Sequence, residues 1–304
     1  MRHPRWWLLL AVPAVVLLVG AAVAQRDTSD ETPPAANDGG DTPELTTTSA
    51  ELPPASSSTT VPLADLRLRN DLVEIAARLP ADSCLVVEGP GFRFTHREGV
   101  PLVPASTMKL LTASAALEAL GADTLIATDR GDASVREVVG RVLRDSDATA
   151  AELLLTEITR AQATPVAGPA AILDLVDDDS VDLDGVVVAD SSGRSRDNRV
   201  TCTALVDVLS RPGTGPLVRE GLAVAGETGT LADRFVGTAL QGVVRAKTGS
   251  LSSVSALAGV VGDDEPAATF ALVVNAPVGT GLPADVFRIQ QQVGEALVAW
   301  GVAR

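Results

Sequence analysis

From Gln25 to Pro62 the chain reads QRDTSDETPPAANDGGDTPELTTTSAELPPASSSTTVP, rich in Thr, Ser, Pro, Asp and Glu and nearly devoid of large apolar side chains. Such a stretch cannot bury enough surface to offset the entropy lost on ordering, so 25–62 reads as a disordered acidic linker. Folding is thereby confined to 63–304, about 240 residues, enough for one large domain or a domain with a subdomain. Upstream, residues 1–24 carry Arg2 and Arg5, an apolar run from Trp6 to Ala24, and the small-residue pattern Ala22-Val23-Ala24 before Gln25. That is the layout of a signal peptide. The run is also nearly long enough to span a bilayer, so an uncleaved membrane anchor is the alternative. Either reading puts the domain in an extracytoplasmic location, secreted or tethered to the cytoplasmic membrane by its N-terminal segment.

Within the domain, Leu63, Leu66, Leu72, Ile75 and Leu79 recur at roughly helical spacing before Pro80 stops the pattern. SCLVVEG follows as a short apolar strand, and PGFRFTHREG as a turn into a partner strand. KLLTASAALEALG predicts a helix stopped at Gly121. SVREVVGRVLRDSDATAAELLLTEITRA predicts two helices interrupted near Asp145 to Ala148, and VDLDGVVVADSSGRSRDNRVT a strand running into a polar loop before the helix TALVDVLSR. GVVRAKTGSLSSVSALAGVVG and ATFALVVNAP read as adjacent strands with β-branched content, and ADVFRIQQQVGEALVAWGV as a closing helix. Helix and strand are segregated, the terminal elements are expected to meet in one sheet, and with aromatics at 3% the core is expected to be aliphatic.

The formal net charge of −15 argues against a nucleic-acid partner, because phosphate binding needs a basic surface. Two histidines, His3 in the leader and His96, and two widely separated cysteines do not make a metal site or a histidine-based triad, and no metal or organic cofactor is implied. In an oxidising compartment a bridge between Cys84 and Cys202 is the expectation; two separately buried thiols are the alternative, since the pairing depends on the fold.

Ser106-Thr107-Met108-Lys109 sets a hydroxyl and an amine one helical turn apart, on the same face. A neighbouring amine that is held unprotonated can take the proton of a serine alcohol, itself a poor nucleophile at neutral pH. A serine at this place also suits a helix cap. Lys247-Thr248-Gly249, on an apparent strand, offers a cation and a hydroxyl for a carboxylate, and a glycine that lets a ligand approach the backbone. The same strand edge can pair with an extended peptide. Each motif alone is ordinary; in this order they are the first and last of the three motifs, S-x-x-K, S-D-N and K-T-G, used by penicillin-binding proteins and serine β-lactamases.

The blocks VPASTMKLLTASAALEALGAD, LRDSDATAAELLL, ADSSGRSRDNRVT, AGETGTLADRFVGTALQGVVRAKTGSLSSVSALAGVV and FALVVNAP resemble those of class C low-molecular-mass penicillin-binding proteins, the D-alanyl-D-alanine carboxypeptidase/endopeptidase family. The resemblance implies an α+β fold of the β-lactamase/transpeptidase type, an antiparallel sheet flanked by helices with a mainly helical second lobe. It implies that Ser106 is the acylated nucleophile, Lys109 its proton acceptor and Ser146 a proton relay to the leaving amine. Lys247 and Thr248 of the Lys247-Thr248-Gly249 motif would hold the substrate carboxylate, and the backbone N–H groups of Ser106 and Ser250 would form the oxyanion hole. The substrate would be a peptidoglycan stem peptide, and β-lactam antibiotics would act as covalent inhibitors.

The sequence departs from the family in two ways. Its middle motif is Ser-x-Asn, and here Ser146-Asp147-Ala148 lacks the amide; Asn198 is a candidate replacement, although a loop-stabilising role suits it better. The large extra domains usual between the first two motifs are also missing, since only 110–145 separate Lys109 from Ser146. A catalytically degenerate member that binds cell-wall peptide or a protein partner without turnover is therefore the alternative function. A β-lactamase would need a carboxylate placed to activate the deacylating water, which the sequence does not identify.

Overall fold

The computed structural model describes residues 61–162, 168–262 and 265–303, all within one compact unit; the leader and nearly all of the linker lie outside the described residues. Helix α1 (Leu63–Ala76) is followed by strands β1 (Ser83–Gly89) and β2 (Phe92–His96), then by α2 (Lys109–Leu120). A small hairpin, β3 (Leu125–Thr128) and β4 (Gly131–Ser134), leads into α3 (Val135–Arg144), α4 (Ala148–Ala161), α5 (Ala170–Val176), α6 (Cys202–Ser210) and α7 (Thr214–Glu220). The chain closes with β5 (Ala223–Val224), β6 (Val244–Leu251), β7 (Val254–Val261), β8 (Ala268–Asn275) and α8 (Val286–Val302).

The six-stranded sheet has the order β2-β1-β8-β7-β6-β5, and every neighbouring pair is antiparallel. Its central strands β7 and β8 are buried at every position but Asn275 because both faces are covered, and their period of two sorts the side chains into two cores. Cys84 and Val86 of β1, Ala256, Ala258 and Val260 of β7, and Ala271 and Val273 of β8 join the core built from α2 to α6. Leu85, Val87, Leu257, Phe270, Leu272 and Val274 point the other way, onto Leu68, Leu72 and Ile75 of α1 and Ile289, Val293, Leu297 and Trp300 of α8. A buried hydrogen bond from Trp300 Nε1 to Asp65 Oδ1 (2.7 Å) ties α8 to α1.

Three expectations are corrected. In α1 the buried face is Leu68, Leu72, Ile75 and Ala76, whereas Leu63 and Leu66 are exposed and the helix ends before Leu79. Six positions before Leu72, Leu66 is turned well away from that face at roughly 3.6 residues per turn. The segment around Val186–Asp190 is not a strand of the sheet; it makes one isolated bridge, Val187 with Arg199, beside another between Leu102 and Val200. Asn198 Oδ1 takes the N–H groups of Ala189 and Asp190, donors that a ladder would have used. Nor does Ser106 cap a helix: it lies in a 3₁₀ turn, Ala105–Met108, that runs into α2 without a side-chain cap bond. The break between α3 and α4 falls where the sequence puts it, and Gly121 ends α2 with φ 77°, a conformation glycine adopts freely.

Cys84 of β1 and Cys202 at the start of α6 are bonded, with Cα atoms 5.9 Å apart and 118 residues between them in sequence. Closing a loop of that span removes entropy from the unfolded chain worth about 4–5 kcal/mol in the chain-entropy account. Native, non-reduced protein is expected to weigh two hydrogens less than the reduced form, and two alkylatable thiols without reductant would refute the bridge.

Candidate active site

Helix α2 is apolar around nearly its whole circumference, with Leu110, Leu111, Ala113, Ala115, Ala116 and Leu117 all buried, so it runs through the helical core and carries Lys109 inside with it. The lysine is 1% exposed, whereas Ser106, one turn earlier, is only partly buried. Lys109 Nζ donates to Ser106 Oγ at 3.2 Å and to the Ser192 carbonyl. Burial, followed by the charge of Arg194, pushes the Lys109 amine down to about 8, against the opposing pull of Asp190, Glu152 and Asp147. A neutral fraction large enough to accept a hydroxyl proton is therefore present near neutral pH.

Lys247 comes from β6, where it pairs in register with Ala258 of β7, and it is fully buried. Its Nζ donates to Ser146 Oγ and to the Thr248 carbonyl, both at 2.9 Å. Burial first, then the charge of Lys109, lowers the Lys247 amine to about 7. Ser146 lies in the short link between α3 and α4 with φ 59°, a left-handed conformation uncommon for a non-glycine residue. Asp147 next to it caps α4, its Oδ1 accepting from Ala150 N at 2.9 Å, so Ala148 is the first residue of that helix. Thr248 Oγ1 donates to Thr230 Oγ1 at 2.9 Å. Strand β5 pairs with β6 only at Arg245 and Ala246, so the outer edge of Lys247–Leu251 continues beyond it. A Cβ at Gly249 would stand 2.6 Å from the Pro104 carbonyl oxygen; its absence lets β6 lie against the turn that carries Ser106.

The loop 189–198 forms a third wall. Asp190 Oδ1 accepts from Ser192 N (3.0 Å), Gly193 N (2.5 Å) and Asn198 Nδ2 (3.1 Å), and Oδ2 from Ser195 N (2.5 Å). Burial works against the Asp190 charge, yet these donors together hold its carboxyl below the usual carboxylate range. Gly193 has φ 80°, and a Cβ there would stand 1.9 Å from the Ala105 carbonyl oxygen, so only glycine lets this loop rest on the Ser106 turn.

Ser106 and Lys109 are in contact, Ser146 and Lys247 are in contact, and the Lys109 charge reaches Lys247. Thr248 and Gly249 follow on the same strand, and Ser250 ends this run as an exposed residue. The amide of Asn198 is used inside its own loop, bonding Ala189, Asp190 and Ser195, as its loop-stabilising reading expects. Sequence reasoning missed the Ser192 carbonyl and Thr230. A backbone acceptor leaves no side-chain signature, and the one available signal was the density of Asp, Ser and Gly in ADSSGRSRDN.

The profile of the D-Ala-D-Ala carboxypeptidase 3 (S13) family matches residues 93–135 and 132–293. The chain belongs to that family. Its similar relatives include a D-alanyl-D-alanine carboxypeptidase of an Actinomadura species, 37% identical over 168 residues, and carboxypeptidase DacB of Mycolicibacterium smegmatis, 33% identical over 195 residues. Those stretches make up 52% and 57% of this chain but only 31% and 42% of the two relatives, so the chain spans less than half the length of either. Among solved structures, penicillin binding protein 4 (dacB) of Haemophilus influenzae superimposes with a TM-score of 0.60 at 12% identity, covering 74% of this chain and 97% of that one. A β-lactamase of Burkholderia vietnamiensis does so with a TM-score of 0.55 at 19% identity, covering 81% and 98%. The sheet with helices on both faces and a helical lobe is thus the β-lactamase/transpeptidase-like fold, as this carboxypeptidase family would have it.

Proposed function

We propose that the protein is a serine-type D-Ala-D-Ala carboxypeptidase, acting outside the cytoplasmic membrane on peptidoglycan stem peptides through an acyl-enzyme. The observation that carries this reading is the pair of contacts Lys109 Nζ to Ser106 Oγ (3.2 Å) and Lys247 Nζ to Ser146 Oγ (2.9 Å) in a chain of the D-Ala-D-Ala carboxypeptidase family. In this reading the neutral Lys109 amine takes the Ser106 proton as Oγ attacks the penultimate D-Ala carbonyl, and the oxyanion faces the N–H groups of Ser106 and Ser250. Ser146, held by Lys247, relays a proton to the departing D-alanine and is reprotonated in turn by the one Lys109 took from Ser106, which returns Lys109 to its neutral form. The carboxylate of the leaving D-alanine lies against Lys247 and Thr248. Water then releases the acyl group. The carboxyl of Asp190 is fully engaged by four donors and is unsuited to be a base for that water. A protein that only binds peptide has no use for a buried amine on an accessible serine, which weighs against the alternative without turnover. The N-terminal segment, as signal or anchor, would deliver the domain to its substrate, and β-lactams would acylate Ser106.

The test is release of D-alanine from an N-acylated tripeptide ending in D-Ala-D-Ala, with sensitivity to penicillin. Penicillin acylation without any D-alanine release would instead favour the binding protein. Lys247→Ala is expected to weaken capture of carboxylate-bearing ligands by about ten- to a hundredfold, the worth of a charge-assisted hydrogen bond of about 1.5–3 kcal/mol. Equal loss for a ligand lacking the carboxylate would argue against this role.

A further inference from the structure

The Lys109 amine has a second partner besides the serine it would deprotonate: the main-chain carbonyl of Ser192. The neighbouring carbonyl, Ser191 O, accepts from Thr112 Oγ1 at 2.7 Å, so two successive carbonyls of the loop meet side chains three residues apart on α2. Both Thr112 and Lys109 are buried, as are Ser191 and Ser192. What holds this backbone in place is not a ladder but two side chains. Asp190 gathers the N–H groups of Ser192, Gly193 and Ser195, and Asn198 bonds the Ala189 and Asp190 N–H groups while its own amide donates to Asp190 Oδ1 and Ser195 O. The Asp190 carboxylate therefore bonds the N–H of the residue whose carbonyl meets the amine.

We propose that Asp190 and Asn198 are positioning residues for Lys109, acting through the Ser192 carbonyl that they hold against its amine. The inference rests on the functional reading above and extends it to residues that touch neither substrate nor nucleophile. A neutral amine has two N–H groups and one lone pair. Committing one N–H to Ser192 O restricts rotation about the Cε–Nζ bond and leaves the lone pair free to face Ser106. When the Oγ–H bond breaks and the new Nζ–H bond forms, the resulting ammonium already has an acceptor in a buried site, so no reorganisation is needed at that moment. The carbonyl supplies this without an amide side chain at position 148, where alanine stands.

The test is the second-order rate of penicillin acylation as a function of pH for the parent, Asn198→Ala, Asp190→Ala and Asp190→Asn, alongside thermal unfolding. The charged neighbours of the amine, Lys247, Arg194, Asp147 and Glu152, stay in place throughout, as does Asp190 in the Asn198 variant. Loosening the Ser192 carbonyl removes an acceptor that favours the charged amine, so the maximal rate is expected to fall at least about tenfold and the rising limb to move down by about half a pH unit or more. Asp190→Asn keeps one acceptor oxygen for the Ser192 and Gly193 N–H groups and is expected to retain more activity than Asp190→Ala. Thr112→Val, a near-isosteric change that frees the Ser191 carbonyl, keeps the test alive if the loop variants fail to fold; a smaller fall with the same direction of limb shift is expected. A limb that stays fixed or moves up while rate and melting temperature fall together would mean a merely structural loop and would overturn the proposal, as would unchanged rates. The parent adduct on Ser106 is scored separately: its absence overturns the functional reading and this one together, whereas its presence with unmoved limbs overturns this one alone.

Discussion

Ser106→Ala is expected to abolish covalent labelling by a fluorescent penicillin while leaving the fold in place. The side chain caps no helix, and the turn that carries it is held by bonds from Thr107 N and Thr107 Oγ1 to the Pro104 carbonyl, which the substitution leaves intact. What is lost is one hydrogen bond from Lys109, worth about 0.5–1.5 kcal/mol. That corresponds to a melting shift of about 2–4 °C per kcal/mol for a domain of this size. Acylation has no second route, because the acyl group must be attached to this oxygen. Undiminished labelling in the variant, seen on a denaturing gel, would remove Ser106 from the account.

Lys109→Met is expected to slow acylation by about 10²–10⁴, the usual worth of a positioned proton acceptor, without destabilising the protein. The side chain becomes one atom shorter but stays unbranched and apolar, and a buried amine is exchanged for a thioether. In the folded protein the amine is lowered to about 8, below its unfolded value, so it opposes folding below about pH 8, where the folded state must carry a buried charge, and this penalty fades as pH rises toward 10. The same shift sets the pH dependence of the parent. The neutral amine makes up about a tenth of the population at pH 7 and about nine tenths at pH 9. Over the same range Lys247 sheds the charge that would hold the carboxylate, so the acylation rate of a carboxylate-bearing ligand is expected to rise from the acid side and to turn down on the alkaline side. Lys247, lowered to about 7, titrates close by and interacts with Lys109, so the limb belongs to the pair and not to one residue alone. In Lys109→Met the limb attributable to that amine should disappear. A variant with the parent rate and the parent limb would show that another group accepts the proton.

Much of this site was legible in the sequence because its chemistry is written in side chains. A serine and lysine three apart, and a lysine on an alternating strand, announce themselves by identity and spacing, and the runs that became β6, β7 and β8 are apolar enough to be read as neighbours. The sheet face that each side chain serves also follows from the period of two. What escaped was carried by the backbone. The Ser192 carbonyl on Lys109, the close approach of Gly193 to Ala105 and of Gly249 to Pro104, and the left-handed Ser146 depend on how distant segments meet, which no local pattern encodes. VVVAD has the composition of a strand, yet Asp190 and Asn198 offer its neighbours' N–H groups better partners than a sheet would. The short hairpin β3–β4 and the seven-residue α5 and α7 were too brief to give a period. The pairing of Cys84 with Cys202 follows only once β1 and α6 are packed together.

The most direct test of the nucleophile is the mass of the protein after reaction with benzylpenicillin, followed by proteolysis and sequencing of the modified peptide. A single penicilloyl group on Ser106, formed faster at about pH 7.5 than at about pH 6, is the expected result. Unmodified protein, or an adduct on any other residue, would contradict the account.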